Sequence, residues 1–256
     1  MLLDFHSEIY SLIRGGLFVL FVYHFLIFLQ NKSKLYLYYS LYLLALTLYL
    51  FQNLFLGEFE ISRRYINFSI QFLAYASYIA FARELVDSRT NLITWDKYFE
   101  IGIKVLLILA PIFILIQFLF GYDFQIKAFT VVAPLLTIFT LVALYIIHKK
   151  IKAPSTIYFV IGSLIYIFLA NISFLELIIS EVFFTNLGVN SMFFLYVGIL
   201  LQALIFSVII GSIIKRIEQK SKNAEIKLAI KLKEMEELKM TALQSQMNPH
   251  FLFNSL

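Results

Sequence analysis

The sequence predicts an all-α membrane protein, in which a bundle of seven transmembrane helices is followed by a cytoplasmic coiled-coil signalling helix. Of its 256 residues, 61% are hydrophobic and 14% are charged, whereas soluble domains have about 45–50% apolar and about 25% charged residues. The excess falls into separate long apolar runs, each near the length of about 20 residues that a span needs. An abrupt change to charged residues after Ile214 predicts the signalling helix.

Seven apolar runs predict the spans in chain order. They cover approximately Glu8–Leu29, Lys34–Leu56, Tyr65–Leu85, Tyr98–Phe120, Ala128–Ile147, Thr156–Ser180 and Ser191–Ile214. The first run is too long and too aromatic for a cleaved signal peptide, so we interpret it as a retained span. Residues 1–212 are thus predicted to be the transmembrane sensor domain. In the longest connection, around Val86–Lys97, Thr94 is suited to capping the next helix.

Basic residues beside the spans predict the orientation. One side of the membrane receives Lys32, Lys34, Arg83, Arg89, Lys97, Lys149, Lys150, Lys152, Lys215 and Arg216. The other side receives only Arg63, Arg64 and Lys127. Because the richer side is cytoplasmic, we expect the N-terminus outside and the C-terminus in the cytosol. The net charge of +5 then indicates contact with anionic membrane lipid, and no basic patch interleaved with aromatic residues suggests nucleic acid.

The segment that follows the last span has the pattern of a solvated helix. Thirteen of the 25 residues from Lys215 to Lys239 are charged, and none is Gly or Pro. Its apolar residues recur at steps of three, four or seven and form a narrow stripe, which comprises Ile214, Ile217, Ala224, Leu228, Leu232, Met235 and Leu238. Such a stripe predicts that residues 213–241 form a two-stranded coiled coil in a homodimer. A lone helix on lipid is the alternative, but its glutamates would be repelled by an anionic surface.

The last fifteen residues, Ala242–Leu256, read ALQSQMNPHFLFNSL. A continuing helix places Gln246, His250 and Asn254 on one polar stripe, at steps of four. Pro249 removes a backbone hydrogen bond and bends the helix just before the histidine. An exposed imidazole is partly neutral at cytosolic pH, so its ring nitrogen can attack a phosphoryl group.

This segment resembles the phosphoacceptor segment of LytS-type sensor histidine kinases, in which an Asn-Pro-His-Phe core lies on the first helix of a dimeric four-helix bundle. The resemblance implies that His250 accepts the phosphoryl group and that Asn254 positions it. The rest of the matching motif comprises Asn248, Pro249, Phe251, Leu252 and Phe253. Residues 242–256 are thus expected to begin a dimerisation and phosphoacceptor helix.

The same resemblance implies ATP and Mg²⁺ as cofactors, a cytoplasmic response regulator as partner, and a bacterial inner membrane as location. The residues that hold ATP and Mg²⁺ in that family are not present here, so we expect a truncated chain whose catalytic domain is missing. The seven spans resemble, more weakly, the bacterial seven-transmembrane receptors that couple to diverse intracellular signalling modules.

Polar residues within the outer halves of the spans are candidates for ligand sensing, because polar side chains in hydrocarbon usually face the bundle interior. They are Arg14, Gln71, Asn171 and Glu176. A purely structural pair of Arg14 with Glu176 is the alternative. His24 has no second membrane histidine beside it, so we expect a hydrogen-bonded core residue and no metal site. Zero cysteines exclude disulfides and thiolate ligands.

These patterns favour the transmembrane sensor of a two-component histidine kinase, in which a stimulus moves the spans and the coiled coil transmits the movement. Two alternatives remain. A seven-helix transporter or channel predicts internal repeats and discontinuous helices, which the sequence does not display. A non-catalytic membrane receptor would act through its oligomerisation helix alone.

Overall fold

The computed structural model describes residues 4, 7–52, 60–175, 184, 186 and 188–246, and these residues contain no strand. The helices are α1 Glu8–Asn31, α2 Lys34–Phe51, α3 Glu60–Leu85, α4 Ser88–Asn91, α5 Ile93–Phe120, α6 Tyr122–Lys150, α7 Pro154–Phe174 and α8 Met192–Gln246. The predicted all-α class is confirmed. The chain divides into two compact units, Met1–Ser207 and Val208–Leu256, which we call the transmembrane unit and the C-terminal unit.

Six helices of the described chain are long and apolar enough to cross a membrane, namely α1, α2, α5, α6, α7 and α8. Large apolar side chains are exposed along several of them, as at Leu12 of α1, Phe118 of α5 and Phe168 of α7. An apolar surface of this extent is stable only against lipid or another protein. The protein is therefore a multi-pass membrane protein, as predicted.

The remaining predicted span, Tyr65–Leu85, lies inside α3. This helix has 26 residues, enough to span, but its polar side chains leave it outside the apolar group. It packs against α2 and α5 and buries Phe72 and Phe81. The face of a helix that packs against neighbouring helices can carry polar residues. With α3 included, the helices agree with the predicted seven-helix bundle.

Several helices begin before the apolar runs that predicted them. The first residues of α3, α5 and α6 are Glu60, Ile93 and Tyr122, ahead of the predicted Tyr65, Tyr98 and Ala128. An apolar run covers only the part of a helix that lies in the hydrocarbon. Residues of the same helix that precede this part are not included in the run. For the same reason the capping prediction for Thr94 was wrong, because Leu92 stands at that position and Thr94 lies in the first turn of α5.

Aromatic rings form the centre of the transmembrane unit. Tyr39 of α2 lies 5.1 Å from Phe81 of α3, measured between ring centroids, and Phe81 lies 5.3 Å from Phe206 of α8. Phe159 of α7 completes the group at 5.2 Å from Phe206. The Tyr39 hydroxyl also donates to the Ala203 carbonyl oxygen at 2.7 Å. Four helices are therefore held together by one tightly packed cluster.

Small residues allow α7 and α8 to approach closely. A Cβ atom at Gly162 of α7 would lie 3.1 Å from Ile205 Cγ2, and one at Gly198 of α8 would lie 3.1 Å from Leu169 Cβ. Each glycine thus faces a side chain of the opposite helix with almost no free space. Helix pairs in membranes use glycine in this way, because packing replaces the hydrophobic driving force.

An ion pair fixes the turn that joins α3, α4 and α5. Arg83 donates from Nε to Asp96 Oδ1 at 2.9 Å and from Nη2 to Asp96 Oδ2 at 2.8 Å. The buried Ser88 donates to the same carboxylate at 2.5 Å. Arginine and carboxylate side chains form their strongest contacts in this two-pronged geometry.

Candidate functional site

A cavity of about 380 Å³ lies inside the transmembrane unit. Its walls come from α2, α3, α6, α7 and the first turns of α8. It runs from the end of the bundle where α3 and α6 begin, at Arg63 and Tyr122, towards Tyr78 and Ser163. Small-molecule sites typically enclose about 300–1,000 Å³ and are mostly apolar with a few polar groups. This cavity has both properties.

One polar stripe of α3 lines the cavity. It consists of Arg63, Asn67, Gln71 and Tyr75, four residues apart and therefore on one helix face. The Nε atom of Arg63 is buried, and no hydrogen-bond partner for it lies within the described part of the chain. The described lining residues include no aspartate or glutamate. The α3 end of the cavity is therefore positively charged.

The deeper end is lined by hydroxyl groups that pair with protein atoms. Tyr78 donates to Ser163 Oγ at 2.8 Å, and Tyr42 donates to Gln202 Oε1 at 2.5 Å. The hydroxyl groups of Tyr75 and Thr140 are also hydrogen-bonded to each other. These pairs link α2 to α8, α3 to α7 and α3 to α6. They stabilise the wall and leave the polar groups near Arg63 as the ones that can recognise a ligand.

Two of the four predicted sensing residues, Gln71 and Asn171, line this cavity. The Asn171 Nδ2 group donates to the Ile167 carbonyl oxygen at 2.7 Å, which leaves its side-chain oxygen as an acceptor. The structure therefore brings one predicted residue of α3 and one of α7 to a common site.

Arg14 is not among the residues that line the cavity. It is buried, with 2% of its surface exposed, and it donates to the Tyr196 hydroxyl at 3.2 Å and to Ser11 Oγ at 3.1 Å. The bond to Tyr196 connects α1 to α8, and the bond to Ser11 lies within α1. Glu176 lies outside the described residues, so its pairing with Arg14 stays a prediction.

His24 is a hydrogen-bonded core residue, as expected. Its Nδ1 atom lies 2.8 Å from the Leu20 carbonyl oxygen, and the Tyr39 ring meets the imidazole edge to face at 4.7 Å. Aromatic neighbours and a backbone acceptor explain its presence in the bundle.

Arg63 is the site residue that the sequence analysis missed. Because it precedes the apolar run that begins at Tyr65, it was counted among the charges of a connection. The structure instead places it in the first turns of α3. The four-residue spacing of Arg63, Asn67 and Gln71 is the signal that identifies it, since polar residues at this spacing share one helix face.

The apolar stripe of the C-terminal unit is exposed. Every described side chain from Lys215 to Gln244 is exposed, and the large apolar members of the stripe are Ile217, Leu228, Leu232, Met235 and Leu238. Helix α8 continues without interruption to Gln246. The predicted coiled coil needs a stripe of this kind, available to a second helix.

Residues 247–256, which hold the core of the phosphoacceptor motif, lie outside the described residues. This applies to His250 and Asn254, and to the remaining motif residues Asn248, Pro249, Phe251, Leu252 and Phe253. Their roles, and the limits of the predicted linker at 213–241, stay predictions.

The described residues form a multi-pass helical bundle with an internal cavity, and the last helix continues as a long charged segment, an architecture expected of a transmembrane receptor. The sequence profile of the family named 7TM diverse intracellular signalling matches residues 7–212, and the chain belongs to this family. Its seven-transmembrane region is a sensor domain associated with diverse intracellular signalling modules. The predicted resemblance to these receptors is confirmed. No curated protein and no solved structure matches the chain.

Proposed function

We propose that this chain is the transmembrane sensor portion of a two-component histidine kinase in a bacterial inner membrane. The N-terminus lies outside, the C-terminal unit lies in the cytosol, and two copies associate through the stripe from Ile217 to Leu238. A stimulus that changes the packing of the spans is transmitted along α8 to His250.

One observation supports this proposal above the others. Helix α8 begins in the sensor domain at Met192 and is unbroken to Gln246, four residues before His250. A continuous helix can carry displacement or rotation of its first turns along its length. The family supplies the sensor, and the Asn-Pro-His-Phe run supplies the resemblance to a phosphoacceptor.

The chemistry follows from the imidazole. A neutral ring nitrogen of His250 attacks the γ-phosphorus of ATP, the bond from phosphorus to the bridging oxygen of ADP breaks, and a nitrogen–phosphorus bond forms. ATP and Mg²⁺ would be held by the ATP-binding domain that the resemblance implies. Asn254, which the resemblance assigns to positioning, orients the reacting group. The phosphoryl group then passes to an aspartate of a response regulator.

A chimera tests this proposal. The remaining dimerisation helix and the ATP-binding domain of a LytS-type kinase are placed after Leu256, and inside-out vesicles receive ATP labelled at the γ-phosphate. We expect a label that is stable to base and labile to acid. His250→Gln should abolish it, because Gln is polar but lacks a nucleophilic ring nitrogen. Asn254→Ala should weaken it, and the matched control His24→Gln should retain it.

Each contrary result has a distinct meaning. A label that persists in the His250→Gln protein contradicts the assignment, and an acid-stable label indicates a hydroxyl acceptor instead. Labelling of right-side-out vesicles alone would reverse the proposed orientation. A folded chimera that is not labelled in either kind of vesicle would favour a non-catalytic receptor.

A further inference from the structure

We propose that the cavity beside Arg63 binds a monocarboxylate with an elongated apolar body, and that this ligand is a stimulus of the receptor. The inference rests on the sensor role proposed above, but it is independent of the phosphoacceptor chemistry of His250. The two candidate sources of this ligand have the same chemistry, which is one carboxylate and one apolar body. They are a single-chain fatty acid from the membrane and a water-soluble aromatic acid.

The charge of the cavity selects an anion. Arg63 carries a guanidinium cation, and its buried Nε atom has no partner among residues 7–52, 60–175 and 188–246. A charged group removed from water without a counter-charge is costly. The described lining contains no acidic residue, so an anionic ligand would supply the counter-charge that this lining lacks. A carboxylate accepts two parallel hydrogen bonds from a guanidinium group.

Because the described lining has one cationic side chain, the ligand should carry a single negative charge. Arg63 is the one cationic side chain among the described residues that line the cavity. A phosphate monoester carries nearly two charges at neutral pH, and its second charge would have no partner in this lining. A carboxylate carries one charge and is compensated by Arg63 alone.

The polar stripe of α3 extends recognition beyond the charge. Asn67 and Gln71 lie one and two turns from Arg63, at about 6 Å per step of four residues. Each amide supplies both donors and an acceptor. A donor from Asn67 can reach the second oxygen of a carboxylate bound at Arg63. A neutral alcohol would lose the bonds to Arg63, which require a charged acceptor for their full strength.

The remaining walls select an apolar body. Phe72 of α3, Phe129 of α6 and Phe174 of α7 line the cavity, with ring centroids of Phe129 and Phe174 6.2 Å apart. Between Arg63 and Tyr78 the cavity follows α3 for 15 residues, or about 22 Å. A long cavity of about 380 Å³, near the lower end of the usual range, suits one chain or ring system rather than a two-chain lipid.

The ligand also touches the transmitting helix. Met192, Leu195 and Ile199 lie in the first turns of α8 and line the cavity. Occupancy of the cavity therefore acts directly on the helix that continues to Gln246. In the proposed orientation, the end at Arg63 faces the outer side of the membrane, where an external acid or a fatty acid of the outer leaflet can enter.

Equilibrium binding to the purified chain in nanodiscs tests the inference without any kinase activity. The probe is tritiated dodecanoate, tritiated dodecanol is its uncharged counterpart, and 3-phenylpropionate competes as the water-soluble acid. Arg63→Gln should weaken dodecanoate binding about tenfold to a hundredfold, as expected for loss of hydrogen bonds to a charged group. Arg63→Lys should bind better than Arg63→Gln. Lys127→Gln removes a charge from the same side of the membrane outside the cavity and should leave binding unchanged.

A second variant removes the space rather than the charge. Ala170 lines the cavity, and Ala170→Phe should abolish binding of either acid in a protein whose circular dichroism spectrum is unchanged. If 3-phenylpropionate displaces labelled dodecanoate at a lower concentration than unlabelled dodecanoate does, the ligand is a water-soluble acid. If unlabelled dodecanoate is the stronger competitor, the ligand is a fatty acid. Equal binding to the wild type and to Arg63→Gln, equal binding of dodecanol, or no binding above protein-free nanodiscs would each overturn the inference.

Discussion

The central apolar side chains of the transmembrane unit are buried, whereas the apolar side chains of the C-terminal unit are exposed. In the transmembrane unit, Phe81, Phe159 and Phe206 are fully buried against one another, and buried hydroxyl groups bond across helices. In the C-terminal unit, all described side chains from Lys215 to Gln244 are exposed, including the apolar stripe. The first unit is stabilised by its own packing, and the second has the pattern of a helix that is stabilised by a partner.

Because of this difference, we expect the stability of the fold to depend on the transmembrane unit and the association of two chains to depend on the C-terminal unit. An isolated helix in water is marginally stable, and most helical stability in proteins comes from packing of an apolar face. Substitutions in the transmembrane unit should therefore change its free energy of unfolding. Substitutions in the apolar stripe should change association between chains and leave that free energy nearly constant.

The largest effect on unfolding is expected at the contact between α7 and α8. Gly162→Leu places a side chain where even a Cβ atom lies 3.1 Å from Ile205 and 3.2 Å from Phe206. Overpacking of this kind costs about 1–3 kcal/mol, and occasionally more. Gly16→Leu is the matched control, because nothing lies within 4 Å of a Cβ atom there. Unfolding by denaturing detergent in mixed micelles measures both, and equal losses would contradict the close packing of α7 on α8.

A smaller effect is expected at the turn between α3 and α5. Asp96→Asn removes one of the two hydrogen bonds that Arg83 donates, because an amide has a single acceptor oxygen, and it leaves the guanidinium without its carboxylate, at a cost of about 1–3 kcal/mol. Glu100→Gln is the control, since this carboxylate is half exposed and 3.9 Å from Arg83 Nη2. Exposed pairs contribute about 0–1 kcal/mol. The same detergent titration checks both, and a loss at Glu100 equal to that at Asp96 would refute this ranking.

The apolar runs of the sequence predicted the membrane helices, but they did not mark the first residues of α3, α5 and α6. Apolar runs identified α1 and α7 to within two residues at their first positions, because hydrocarbon demands an uninterrupted run. Helix α3 packs against α2 and α5, so the polar residues at its start do not signal a connection. That is why the start at Glu60 was missed and Arg63 was assigned to a loop.

The site was predicted in part for the same reason. Gln71 and Asn171 stand out as polar residues within apolar runs, and both line the cavity. Arg14 stands out equally, yet its position is decided by Tyr196 of α8, 182 residues away in the chain. Periodicity assigns a residue to a helix face but does not identify the helix that faces it, and this information comes only from tertiary packing.

The smallest effect on unfolding is expected in the C-terminal unit, where the effect on association should be large. The chain has no cysteine, so each variant carries a single thiol. In membranes, cysteines at Leu228 and Leu232, which lie on the stripe and are exposed, should form disulfide-linked dimers. Cysteines at Lys227 and Lys231, one residue earlier and about 100° around the helix, should form far fewer.

Substitutions in the same stripe test whether association between chains is independent of the stability of the transmembrane unit. The double variant Leu228→Gln and Leu232→Gln should reduce crosslinking through a cysteine at Met235, because polar residues weaken an apolar seam. Its detergent-induced unfolding should differ from that of the wild type by less than about 0.5 kcal/mol, the usual limit for exposed positions. Equal crosslinking at all four single-cysteine sites would exclude a defined seam. A loss of stability as large as that of Gly162→Leu would show that the stripe stabilises the bundle, because only a side chain packed in the native bundle can contribute that much.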